Sequence, residues 1–68
     1  MKLSARNQFA GKITAIEKGA VNGIVVIDIG GGNSISATIS MAAIDELGLT
    51  VGGDATAVVK ATSVMVMA

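Results

Sequence analysis

The run GIVVIDIGGGNSISATIS, Gly23 to Ser40, constrains the fold more than any other part of the chain. Ile24 to Ile29 is almost continuously apolar and rich in β-branched side chains, as in a strand covered on both faces. Beyond the glycines, Ile35, Ala37 and Ile39 alternate with Ser34, Ser36 and Thr38, the period-2 signature of a strand with one wet face. Gly30-Gly31-Gly32-Asn33 between them predicts a hairpin turn. Strands joined so tightly must be antiparallel, so the rest of the chain has to build on a β-hairpin.

Upstream, FAGKITAIEKG allows a helical stripe through Phe9, Ile13 and Ile16, but Gly11 and Gly19 favour a strand. Bringing both Ile13 and Ile16 inward then needs a bulge or a twist. Downstream the period changes. Ser40 is a good N-cap, Met41, Ile44 and Leu47 fall on one helical face, and Gly48 stands where a left-handed C-terminal residue belongs. A helix of about two turns is predicted there. Val51-Gly52-Gly53-Asp54 turns the chain into a strand ending near Lys60, followed by a kink at Ala61 to Ser63 and a last strand from Val64. The expected fold is all-β, a small five-stranded barrel with one short helix between strands 3 and 4. That order fits the oligonucleotide/oligosaccharide-binding (OB) barrel pattern.

A chain of 68 residues is expected to form a single domain, residues 1–68, and a core of that size is marginal on its own. With no Cys and no His, neither disulfides nor a structural zinc can reinforce it. Hydrophobic residues make up 51% of the chain, yet Phe9 is the only aromatic, so the surplus apolar surface is Ala, Val, Ile and Met. Burying that surplus calls for association, and a homo-oligomer is expected. Five Lys and Arg balance five Asp and Glu, which removes the basic excess that nucleic acid or anionic lipid would attract. Met1-Lys2-Leu3 leads straight into polar residues, and no apolar run approaches a membrane span. The reading is a cytoplasmic protein whose partners are its own copies and something small.

Catalysis lacks material. Without His, Cys or Tyr, acid/base work would fall to Glu17, Asp28, Asp45, Glu46 and Asp54, which are scattered over turns, strand and helix. No enzyme is expected. DIGGGNS invites a phosphate-loop reading, but a period-2 strand follows the glycines where such a loop needs Lys-Ser/Thr and a helix. Met65 and Met67, alternating in an apolar strand, fit packing better than copper ligation. A small OB-like nucleic-acid or protein interaction module is the alternative. One Phe and no net positive charge give single strands little to stack on.

The remaining chemistry lies near the two ends. Arg6 in SARN and Lys60 in KATS are each flanked by hydroxyls and by small residues whose backbone N–H groups can be approached closely. Guanidinium fork, ammonium, hydroxyls and amides together suit an oxyanion. The first and last segments could be neighbours in a barrel. From spacing alone, two solvated charges at strand ends remain the plainer reading, as does a simple capping role for Ser40. If more than a cap, Ser40 would sit where helix amides attract an anion.

SARNQF from Ser4, EKGAV from Glu17, GGNSISATIS from Gly31, DELGL from Asp45 and TAVVKATSVMVMA from Thr56 together resemble the molbindins, the molybdenum-pterin-binding proteins made of a single Mop domain. The resemblance spans essentially the whole chain. It implies an OB-like barrel assembled as a homo-hexamer, a trimer of dimers, binding molybdate or tungstate between subunits without a redox or organic cofactor or direct protein ligands to the metal. Carried over by position, Ser4, the Ala5 amide and Arg6 would contact the oxyanion, joined by Lys60, the Ala61 amide and the Thr62 hydroxyl. Ser40 would close the site from a neighbouring subunit. Family members often carry a second hydroxyl three residues after that serine, where this chain has Ala43. With no regulator or transporter parts fused to it, such a domain would serve molybdenum storage and homeostasis.

Overall fold

The computed structural model describes residues 4–68. Met1-Lys2-Leu3, read as leading straight into polar residues, lies outside the described residues. The elements are β1 (Asn7–Lys18), β2 (Asn22–Gly30), β3 (Asn33–Ser40), α1 (Met41–Glu46), β4 (Asp54–Val59) and a 3-10 turn at Ala61–Ser63. They form one four-stranded antiparallel sheet in the order β3-β2-β1-β4.

The long first strand organises the rest. Its leading half, Asn7 to Lys12, pairs with β4, and its trailing half, Lys12 to Lys18, pairs with β2 on the other side. The register slips between Ile13 and Ala15, so of the bulge or twist that the spacing of Ile13 and Ile16 needs, the strand has the irregularity in register. The loop before β4 is tied to that point, since Ile13 N–H donates to Gly53 O at 2.9 Å and Gly52 N–H to Ile13 O at 2.7 Å. Gly11 lies where the strands press closest, because a Cβ there would overlap the backbone carbonyl of Asp28 and touch Ile27 Cγ2.

The β2–β3 hairpin turns at Gly31 and Gly32, with φ of +64° and +78°, the conformation a two-residue antiparallel connection needs. Asp28 Oδ1 accepts from Gly30 N–H at 2.9 Å and steadies the approach. At the other end of β3, Ser40 Oγ accepts from Ala43 N–H at 3.0 Å and caps α1. Gly48, at φ +63°, ends it. The helix lies against β2 because Gly23 has no side chain, and a Cβ there would come within 2.7 Å of Ile44 Cδ1 and 3.0 Å of Met41 Sδ. Ser40→Ala is expected to cost about 1 kcal/mol, read as a melting temperature of the ligand-free protein roughly 5 °C lower. An unchanged melt would show that the cap contributes nothing.

Ile13, Val25, Ile27, Ile44 and Ala57 form the buried core, with Ile16, Ile29, Ile35 and Ile39 packed against it. Three expectations need correction. The strand predicted from Val64 is absent, so the sheet has four strands, not five. The reason is that a strand needs an edge to pair with: the Ala61–Ser63 turn leads the chain away, and Met65, Val66 and Met67 are 93%, 91% and 96% exposed. Accordingly the sheet is curled but open, and β3 and β4 are unpaired edges. An apolar groove of about 580 Å³ runs between them, lined among others by Val25, Ile27, Ile39, Leu49, Ala57 and Val59. Nor is β2 covered on both faces within one chain, since Val25 and Ile27 are buried while Ile24 on the other face is exposed. Leu47, predicted on the buried helical face, is exposed because the helix stops one residue before it.

Candidate functional site

Strand pairing brings the two ends of the chain together. Asn7 opens β1 and pairs with Val59, the last residue of β4. Arg6 immediately precedes the one and Lys60 immediately follows the other, so both cations emerge from the same end of the sheet. Around them Ser4, Ala5, Arg6, Lys60, Ala61 and Thr62 line a concavity of about 300 Å³.

Each wall has a local cause. Gln8 Nε2 donates to Ala5 O at 2.9 Å and holds the Ser4–Arg6 segment beside the start of β1. On the other side Lys60 is the N-cap of the 3-10 turn, which is closed by Ser63 N–H donating to Lys60 O at 2.9 Å. The first N–H groups of any such turn have no partner inside it, so amides, hydroxyls and cations are all available as donors. Among the described residues no carboxylate lines the concavity. Among the described residues the ion pair is Lys12 with Asp54, away from this end, and neither Arg6 nor Lys60 is paired. Apart from Ala5, which is half-buried, these residues are exposed, so in a single chain the site is a shallow cup.

Ser40 is elsewhere. It pairs with Asn22 at the trailing end of β1, while Arg6 precedes its leading end, and the 12-residue strand lies between them. One chain therefore assembles every predicted site residue except Ser40. The sequence reading missed Gln8, because a polar residue in a strand gives no sign of bonding to a carbonyl three positions back. It also missed the apolar groove, which follows from a strand that does not form. The glycine run Gly30–Asn33 serves the hairpin, with the period-2 strand β3 directly behind it. Among the described residues no helix is long and apolar enough to cross a membrane, and no group of three or more His, Cys, Asp or Glu could hold a metal ion.

With fold and cup in view, known proteins give the context. The model of the TOBE domain family matches residues 3–66. The chain is 64% identical over 66 residues to the "Probable molybdenum-pterin-binding protein" of Haemophilus influenzae, covering 97% of this chain and 96% of that one. The solved structure of MopII from Clostridium pasteurianum, in an apo form, superposes with a TM-score of 0.92 at 48% identity, covering 98% of this chain and all of that one. A cytoplasmic molybdate-binding protein, ModG, solved with molybdate bound, matches with a TM-score of 0.86 at 44% identity over 90% of this chain and 43% of its own. The chain thus belongs to the TOBE domain family, alongside its molybdenum-pterin-binding proteins.

Proposed function

We propose that this protein binds molybdate, or its congener tungstate, as the intact tetrahedral dianion, at sites shared between subunits of a homo-hexamer built as a trimer of dimers. The observation that carries the reading is the carboxylate-free cup in which Arg6 and Lys60 meet the Ser4 and Thr62 hydroxyls and the backbone of Ala5 and Ala61. Two cations neutralise a dianion, and the hydroxyls and amides replace its water. The molybdenum-pterin-binding and molybdate-binding names of its relatives support the same cargo. The role is storage and homeostasis in the cytoplasm within one 68-residue Mop domain rather than catalysis, since the cup offers its hydroxyls no imidazole or carboxylate base to activate them.

A shallow cup needs a lid to exclude water, and Ser40 of a neighbouring subunit supplies it. Surface area supports assembly. The chain exposes 5279 Å², against roughly 3,900 Å² expected for a compact monomer of this mass. The excess is larger than the roughly 800 Å² that one partner commits to a standard interface, and it suits the two kinds of contact a trimer of dimers requires. The most exposed apolar segment, Val64 to Met67, and the apolar groove between β3 and β4 complement each other. Exchanged between two chains, the tail would supply the missing fifth strand. Sedimentation of the purified protein is expected to give a hexamer, and a folded monomer that still binds the anion tightly would remove the shared site.

Selectivity follows from the donors. A cup lined by cations, hydroxyls and amides gives the proton of hydrogen phosphate no anionic acceptor, and a cavity sized for longer metal–oxygen bonds holds sulfate loosely. Titration calorimetry is expected to give strong heats with molybdate and tungstate and at least tenfold weaker binding of sulfate and phosphate. Equal affinities for all four would contradict the proposed selectivity, and no heat with any would contradict the function.

A further inference from the structure

The cup and the exposed tail share one piece of backbone. Lys60, Ala61 and Thr62 form a wall of the cup and, with Ser63, the turn from which Val64 to Ala68 departs. That turn is slight. It rests on the Ser63-to-Lys60 hydrogen bond at 2.9 Å and a longer one from Val64 N–H to Ala61 O at 3.3 Å, and no side chain caps it. On either side the backbone is extended, Lys60 at φ −62°, ψ 134° and Val64 at φ −88°, ψ 125°. The direction of the tail relative to β4 is therefore decided within three residues. The opposite wall, Ser4 to Arg6, belongs to the other end of the chain and faces this turn across the cup. A dianion drawing the two walls together would act on the turn directly, whereas the groove between β3 and β4 contains none of the cup's residues.

We propose that the Ala61–Ser63 turn couples anion occupancy to subunit exchange: a filled cup fixes the turn in the form that directs the tail into the neighbouring chain's groove. The inference rests on the oxyanion reading and on the exchanged tail. A ligand shifts an equilibrium only by its differential affinity for the two states, and the turn, formed or loosened, supplies those states. Linkage makes the effect reciprocal: the factor by which anion tightens the assembly is the factor by which assembly tightens the anion.

The test mixes unlabelled and nitrogen-15-labelled full-length protein and follows mixed oligomers by native mass spectrometry, with and without saturating sodium molybdate. Calorimetry runs on the same samples. The expected result is exchange at least tenfold slower with molybdate. A two-glycine insertion between Ser63 and Val64 should still give a binding heat and shrink the ratio of rates at least threefold, leaving the part that Ser40 of the neighbouring subunit supplies by bridging the site. Should that variant not assemble, Ser63→Gly, which loosens the turn without lengthening the chain, is expected to shrink the ratio at least threefold. Normal binding heat with equal exchange rates in the natural chain would overturn the coupling and leave the oxyanion reading standing. Absence of binding heat would overturn the oxyanion reading itself. A full molybdate effect retained in the assembled variants would place the coupling elsewhere and overturn this assignment.

Discussion

Arg6→Ala is expected to weaken molybdate binding by about a hundredfold or more, the equivalent of about 3 kcal/mol, while leaving the ligand-free melt almost unchanged. The asymmetry follows from where Arg6 stands. It precedes β1, is exposed, and has no carboxylate partner among the described residues, so the fold loses little with it. A dianion in the cup would lose a forked cationic donor and be left with Lys60 alone. Arg6→Lys keeps the charge without the fork and is expected to recover part of the loss, to within about tenfold of the natural chain, a difference of about 1.4 kcal/mol. Calorimetry with molybdate on the three proteins decides the matter. Binding by Arg6→Ala within twofold of the natural chain would mean that this end of the sheet is not where the anion lies.

The largest effect on folding is expected from Gly11→Ala. A methyl group there would overlap the Asp28 carbonyl, which is backbone fixed in the β1–β2 pairing and cannot swing aside as a side chain can. Relief requires the two strands to part at the point where β1 also begins to serve β4, because Lys12, the next residue, pairs with both neighbours. A loss of about 3 kcal/mol is expected, at the upper end for overpacking, measured as a lower midpoint of urea unfolding. Gly32→Ala is the contrast. Its Cβ would meet nothing within 4 Å, and only the backbone angle of +78° resists it. A cost of about 1 kcal/mol is expected there. Equal losses in the two variants would show that crowding at Gly11 is not what matters.

Much of the fold was legible because the features that specify it are local. The glycine turn between an apolar run and an alternating one, the Ser40 cap with Gly48 eight residues on, and the bulge or twist implied by Ile13 and Ile16 each lie within a few residues and are present as read. The last strand was not legible as it stands, because VMVM has the chemistry of a strand whether or not an edge lies within reach. Nor could the period show that Ile24 would remain exposed, since covering a second face depends on where the other elements of the fold come to lie. For the site, residue types suggested an oxyanion, but only the pairing of Asn7 with Val59 sets Arg6 and Lys60 at one end of the sheet. Ser40 illustrates the boundary: its cap was readable from its neighbours, whereas its distance from the cup depends on which strand ends adjoin.

The pairing of β1 with β4 has a consequence for synthesis. The hairpin of β2 and β3 and the junction of β1 with β2 join segments close in sequence, whereas Asn7 must wait for Val59. Contacts so far apart in the chain carry the largest loop-closure cost and come late in folding. A nascent polypeptide still on the ribosome, with Lys60 not yet outside the exit tunnel, has only half of its cup, and under the proposed function a fragment released early would not hold the anion.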